Sequence, residues 1–224
     1  MSLYRLENNS IVEAGLWLSE KGYFGSNRGS GGNISVRLSD SAMAVTPTSV
    51  PYQELTCDDI CVVGLDNSMI EVKAGRKPSI ETPMHSVIYR QRPDVNAVVH
   101  THQIYGSVFA IMNMPIPALF DEVSLAIGPV VDVIPYAFSG SAELAANTGA
   151  LLSNNANAYI IQNHGIVALG RDLDRAILHA ELLEKIAHIY CLALSTGKTI
   201  TTLPASTVDF AAGLRNSAVQ KAAK

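Results

Sequence analysis

The sequence predicts a single α/β domain, and two observations carry that reading. Short apolar runs of strand length alternate with longer stretches whose apolar residues recur at helical spacing. No internal repeat or low-complexity linker divides the 224 residues, and polar turn clusters fall at intervals that suit one compact unit. A chain of this length buries roughly 70 % of the surface its unfolded form exposes, enough for one core without disulfides.

The elements follow in order. Ser10 and Glu13 have capping-box spacing, and Ile11, Val12, Ala14, Leu16, Trp17 and Leu18 then support a helix ending near Gly22. After the glycine-rich "GSNRGSGGN", the runs "ISVRLS" and "AMAVTP" read as two strands around a Ser-Asp turn, and "ICVVGLDNSMIEV" repeats that pattern. Ser79 is the expected N-cap of a helix reaching about Arg90, with Pro83 tolerated only in its first turn. Glu81 then lies at the helix mouth. "VNAVVHTH" predicts a strand, residues 106–113 a helix, "VVDVIPYA" a strand, and "SAELAANTGALLS" a helix. In "AYIIQNHGIVALG", Asn163-His164-Gly165 separates two strand-like runs. Apolar residues at 176, 177, 180, 183, 186, 187, 190 and 194 predict a long helix from about Asp172 to Ser195, after which order is expected to weaken.

Composition excludes several function classes. The three cysteines, Cys57, Cys61 and Cys191, form no CxxC pair and read as reduced thiols of a reducing compartment. The formal charge is −4 with basic residues scattered singly, which argues against nucleic acid as a partner. No apolar run approaches the ~18 residues that span a bilayer, and the start of the chain lacks a leader pattern. The expectation is a soluble, cytoplasmic protein.

His100 and His102 lie two apart in an apolar run, so a strand projects both from one face, about 7 Å apart along the backbone. That spacing lets both reach one metal ion, and an open catalytic site usually takes three protein ligands. Of the remaining histidines, His85 follows Glu81 by one helical turn, and His179 and His188 on the last helix read as structural. His164, at a glycine-flanked break, is the best third candidate. Two hydrogen-bonded core imidazoles are the other reading of the HxH pair, since no complete zinc motif is present. Glu81 equally suits a helix start through the dipole alone. The glycine-rich loop matches neither GxxxxGK[ST] nor a full GxGxxG; its backbone N–H groups suit a phosphate cradle or simply a tight turn. "CDDIC" reads as a solvated turn.

Together, "GSGGNISVR", "TPTSVPYQEL", "KPSIETPMHSVIY", "RPDVNAVVHTH" and "QNHG" resemble, in order and spacing, the class II aldolase/adducin family, over about residues 8–197. The family includes sugar-phosphate aldolases and 4-epimerases. The resemblance implies a three-layer α/β/α domain, spanning residues 1–224 here, around a central, largely antiparallel sheet. It also implies a homotetramer with active sites between subunits, the tail 198–224 being weakly ordered or in contact with a neighbouring subunit. It assigns His100, His102 and His164 as ligands of one divalent metal ion per subunit, zinc first, with Mn2+ or Co2+ as alternatives. Glu81 matches the catalytic carboxylate, and Gly32, Asn33, Thr48, Ser49, Ser79 and Ile80 match the phosphate-binding positions.

Two of those positions depart from the family pattern: TPTG reads "TPTS" and PSSE reads "PSIE". Ile80 has no hydroxyl to offer a phosphate, so phosphate recognition is expected to be weakened or altered, and a substrate with a carboxylate or no anion at that end becomes the alternative to a sugar phosphate. Asp121 and Glu122 stand in "PALFDEVS" as a second proton carrier or as subunit contacts. The implied function is a metal-dependent aldolase, an aldehyde-lyase of carbohydrate metabolism that cleaves a ketose or ketose phosphate through a stabilised enediolate. Glu81 moves a proton on and off carbon, a role suited to a carboxyl whose pKa burial has raised. A decarboxylase or 4-epimerase on the same scaffold is the alternative, and a non-catalytic adducin-like interaction module is a third reading.

Overall fold

The computed structural model of the chain describes residues 4–26 and 29–222, so Asn27 and Arg28 of the glycine-rich loop lie outside the described residues. Helix α1 (Arg5–Glu20) leads to strands β1 (Asn33–Ser39), β2 (Ala42–Val45), β3 (Cys61–Gly64) and β4 (Met69–Glu71). Helix α2 (Thr82–Gln91), strand β5 (Ala97–Thr101), helix α3 (Ile104–Met112), strand β6 (Ile116–Pro117) and helix α4 (Asp121–Ala126) come next. The chain continues through β7 (Val130–Val131), β8 (Val133–Ile134), α5 (Ala142–Leu151), β9 (Ala158–Ile161), β10 (Gly165–Gly170), α6 (Leu173–Ser195) and α7 (Ala205–Ala222).

Eight strands form one sheet in the order β4-β3-β2-β1-β5-β10-β9-β8, antiparallel throughout except for the β8–β9 pair; β6 and β7 form a small second sheet. Strand alternation divides the core between two helical layers. Val98 packs toward α2 and α5 with Met84, Ile88 and Leu144, while its neighbour Val99 packs toward α1 with Ile11 and Leu18. On that second face, α3 and α6 bury Phe109, Leu183 and Ile186 against Ile160, Ile166 and Ala168. Each of the larger side chains among these contributes about 1.5–3 kcal/mol when fully buried rather than exposed. This is the three-layer α/β/α arrangement the resemblance implied.

Several boundaries differ from expectation, each for a tertiary reason. Helix α1 begins at Arg5, and Ser10 is interior, its hydroxyl donating to the Glu7 carbonyl. The polar "RLENN" turn is fixed from outside the helix: Asn8 is buried and donates to the Cys57 carbonyl. Helix α2 has Glu81, not Ser79, at its N-cap position; the Thr82 and Glu81 amides donate to the Ser79 carbonyl and hydroxyl, so Ser79 builds the turn ahead of the helix. "VVDVIPYA" is two short strands, because the chain crosses at Asp132 from the small sheet to the edge of the large one. "CDDIC" is no solvated turn. Asp59 is 1 % exposed and takes Lys73 at 3.0 Å and Arg76 at 2.7 Å, which anchors the loop running on to Ser79. The tail is helical: α7 packs on α4, and Arg215 donates to the carbonyls of Ala126 and Asn155. No helix among the described residues is long and apolar enough to cross a membrane.

Candidate functional site

The register of the sheet builds the site. Strand β5 lies between β1 and β10, and His100 pairs with Asn33 on one side and Val167 on the other. Its ring is fully buried, and its Nδ1–H donates to the Ile166 carbonyl at 2.7 Å, which leaves the Nε2 lone pair free to face the site. His102 follows the end of β5, where its backbone N–H donates to the Tyr23 carbonyl. His164 stands in the β9–β10 turn, made possible by Asn163 at φ 55°, a conformation asparagine tolerates better than most residues.

The three rings converge. Their centroids lie 4.7–5.2 Å apart, and one nitrogen from each falls within 4.8 Å of the others. Burial, with His100 and His164 nearby, pushes the His102 imidazole down to about 3; burial, with His100 nearby, brings His164 down to about 4. Both rings are therefore neutral at physiological pH, the form that ligates metal. Three convergent imidazoles, one of them aimed by a carbonyl behind it, are a donor set that fits a divalent ion.

Glu81 lies against this cluster, its Oε2 at 3.1 Å from His100 Nε2 and its Oε1 at 3.4 Å from His164 Nε2. Asn33 donates to Oε2 at 2.7 Å and Ser139 to Oε1 at 2.9 Å. Burial alone raises the carboxyl, as expected from the sequence, but it is outweighed by His100 and His164 and by the Asn33 and Ser139 hydrogen bonds, and the group is held down to about 2. The expectation of a raised pKa is corrected accordingly: the residue rests as a carboxylate.

These groups open into a cavity of about 240 Å³ lined by Gly31, Gly32, Asn33, Thr48, Ser79, Ile80, Glu81, His102, Ser139 and His164, among others. Gly32 has φ +66°, and a β-carbon there would run into the His100 carbonyl and the Phe24 ring, so a side chain has no room. Ile80 is 57 % exposed. Ser49, at φ 60°, is not among the lining residues. Asp121 and Glu122 sit in the exposed first turn of α4, away from the cavity, with Glu122 paired to Lys185. A larger hollow of about 760 Å³ lies beside Arg37 and Arg90 and contains no comparable cluster, so chemistry rather than size marks the site.

His179 is a buried core residue, its Nδ1 donating to the Leu169 carbonyl, and His188 stacks on Tyr105 at 3.8 Å. Sequence reasoning missed Ser139, which reaches Glu81 across 58 positions with no short-range signal. It also left His85 without a role, although the spacing to Glu81 placed it on the same helix face.

Comparison with known proteins gives one answer. The family model described as "Class II Aldolase and Adducin N-terminal domain" matches residues 9–191. The L-fuculose phosphate aldolase of Escherichia coli O6:H1 is 36 % identical over 179 residues, 80 % of this chain and 81 % of that protein. The 5-deoxy-D-ribulose 1-phosphate aldolase of Bacillus thuringiensis serovar kurstaki is 34 % identical over 199 residues, covering 88 % and 89 %. A solved L-fuculose 1-phosphate aldolase superposes with a TM-score of 0.85 at 31 % identity, over 94 % of this chain and 96 % of the other. Fold, sequence and the convergent imidazoles agree: the chain belongs to the class II aldolase and adducin N-terminal domain family.

Proposed function

We propose that the protein is a metal-dependent class II aldolase that cleaves the carbon–carbon bond of a ketose phosphate and releases an aldehyde. The observation that carries this reading is the meeting of three convergent imidazoles with an ionised, doubly hydrogen-bonded Glu81 at one cavity. His100, His102 and His164 would hold the divalent ion, Zn2+ first, with Mn2+ and Co2+ as alternatives. A divalent ion bound there polarises a carbonyl oxygen and supports the negative charge that bond cleavage develops on it.

Glu81 delivers a proton to the carbon freed by cleavage, balanced by the proton that the hydroxyl beside the breaking bond gives up as it becomes the aldehyde, and runs the same transfer backwards in the synthetic direction. The hydrogen bonds from Asn33 and Ser139 keep the carboxylate directed into the cavity while it is charged. Gly32, Asn33, Thr48 and Ser79 are the groups that would meet the phosphate end, with Ser49 a weaker candidate because it does not line the cavity. Ile80 occupies part of that end with hydrocarbon, which leaves a non-phosphorylated sugar as the competing substrate. The proposed assembly is a cytoplasmic homotetramer. The exposed Asp121 and Glu122 then serve a neighbouring subunit, as a second proton carrier or as a contact.

The curated relatives described above are aldolases, and the decarboxylase, 4-epimerase and interaction-module readings are not favoured. The test is a panel of L-fuculose 1-phosphate, 5-deoxyribulose 1-phosphate, their dephosphorylated counterparts and a β-keto acid, offered to zinc-loaded and chelator-stripped protein. Aldehyde release from a ketose phosphate that stops on stripping supports the proposal. CO₂ from the β-keto acid with no aldehyde from any sugar overturns it.

A further inference from the structure

Behind Glu81 a line of buried polar groups continues through the core. Asn33 and Ser35 alternate along β1 and face α2, where His85 and Tyr89 are one turn apart. Asn33 Oδ1 meets His85 Nε2 at 2.5 Å, His85 Nδ1 meets Ser35 Oγ at 2.6 Å, and Ser35 Oγ meets the Tyr89 hydroxyl at 2.8 Å. None of the four residues is more than 4 % exposed.

The chemistry of each partner fixes the direction of the line. A carboxylate only accepts, so Asn33 turns its –NH₂ to Glu81 and its oxygen to His85. His85 Nε2 must then carry the hydrogen. Burial drives His85 down to about 3, against the pull of Glu81 and with a push from His100, so the ring is neutral and Nδ1 is an acceptor. Ser35 donates to Nδ1 and accepts from Tyr89. All four donors point toward Glu81. The amide in the line has no proton to release at neutral pH, so the line orients groups and does not conduct protons.

We propose that His85, backed by Ser35 and Tyr89, is a positioning residue that locks the Asn33 amide with its –NH₂ toward Glu81 and thereby sets the direction of the carboxylate. This rests on the reading of Glu81 as the proton carrier. Without the Nε2–H of His85, the Asn33 amide is free to turn over, and the turned form sets its oxygen against a carboxylate oxygen. Glu81 then keeps only the Ser139 donor on Oε1.

The test compares full-length, zinc-loaded His85→Leu and His85→Gln with the unaltered protein, on the ketose phosphate turned over fastest in the panel above. Leucine removes the donor, whereas glutamine keeps an N–H close to the position of Nε2. The expected result for His85→Leu is a fall in kcat of about 100-fold, with KM and zinc content within about twofold. His85→Gln recovers most of that loss. Independently of activity and of any variant's folding, 15N NMR of the histidine-labelled zinc enzyme is expected to report His85 as the neutral Nε2–H form. The Nδ1–H form overturns the proposal, as does a His85→Leu enzyme with unchanged kcat, or equal losses in the two variants. Each leaves the role of Glu81 intact; that role fails separately if Glu81→Gln is fully active.

Discussion

Asn33 and His100 are partners across the β1–β5 ladder, and both end on the same oxygen of Glu81, at 2.7 and 3.1 Å. One backbone register therefore aims both a hydrogen-bond donor and a ring nitrogen at the proposed proton carrier. Glu81→Gln retains the shape but cannot take up the proton. Its zinc content is expected to stay unchanged while turnover falls by about 10²–10⁴, read by elemental analysis and kcat on one preparation.

The three imidazoles differ in what else they support. The His164 side chain is 15 % exposed on a turn, whereas that of His100 is fully buried and bonded to the Ile166 carbonyl. Under the proposed ligand assignment, His164→Ala loses zinc while its metal-free stability changes by less than about 1 kcal/mol. His100→Ala loses zinc and about 2–4 kcal/mol of metal-free stability as well. Denaturant unfolding of stripped protein separates the two effects.

Acid should destabilise the metal-free protein in two stages. His85, His102 and His164 lie at about 3, 3 and 4 in the fold against an ordinary 6.5, so below pH 6.5 the unfolded chain binds more protons and stability falls as pH drops. Asp59 and Glu81, the latter held at about 2 against an ordinary 4.5, add a second stage. Burial opposes the ionisation of Asp59, but Thr56, Arg76 and Lys73 hold it well below the ordinary 3.8, so its contribution is present above about that pH and lost below it. Unfolding midpoints from pH 8 to 2 test this: Asp59→Asn should flatten part of the lower stage only, and saturating zinc should raise stability without removing the upper slope, because the rings it would take are already unprotonated in the fold.

Much of this was legible in the sequence because it is periodic or local. The two-residue spacing of His100 and His102 and the apolar stripe of α6 need no tertiary information. The start of α1 and the course of residues 130–134 were not legible, because Asn8 bonds to a carbonyl 49 residues away and Asp132 hands the chain between two sheets. The lowered pKa of Glu81 was missed for the same reason. Its burial could be guessed locally, but what overcomes it comes from His100 and His164 and from the donors at residues 33 and 139.

Gly32 has no room for a side chain, with the His100 carbonyl and the Phe24 ring against it. Gly32→Ala is expected to cost about 1–3 kcal/mol in thermal or urea unfolding and to lower turnover more than it lowers zinc content, since it displaces the loop ahead of Asn33.

Ile80 is 57 % exposed at the cavity, so Ile80→Ser should alter stability by no more than about 0.5 kcal/mol. If the phosphate lies at this end, the new hydroxyl lowers KM for a ketose phosphate by about three- to tenfold and leaves the unphosphorylated sugar unaffected. Equal effects on both substrates would move the phosphate elsewhere.

The position of β5 between β1 and β10 also sets a timetable for biosynthesis. A nascent chain that has made His100 and His102 still lacks the strand on their far side, and His164 arrives only just before that strand, Gly165–Gly170. Until then the two imidazoles stand on an open sheet edge with no third nitrogen and no Ile166 carbonyl to orient His100. Under the proposed ligand assignment, the complete three-nitrogen site therefore forms only once Gly165–Gly170 has been made and has paired with β5.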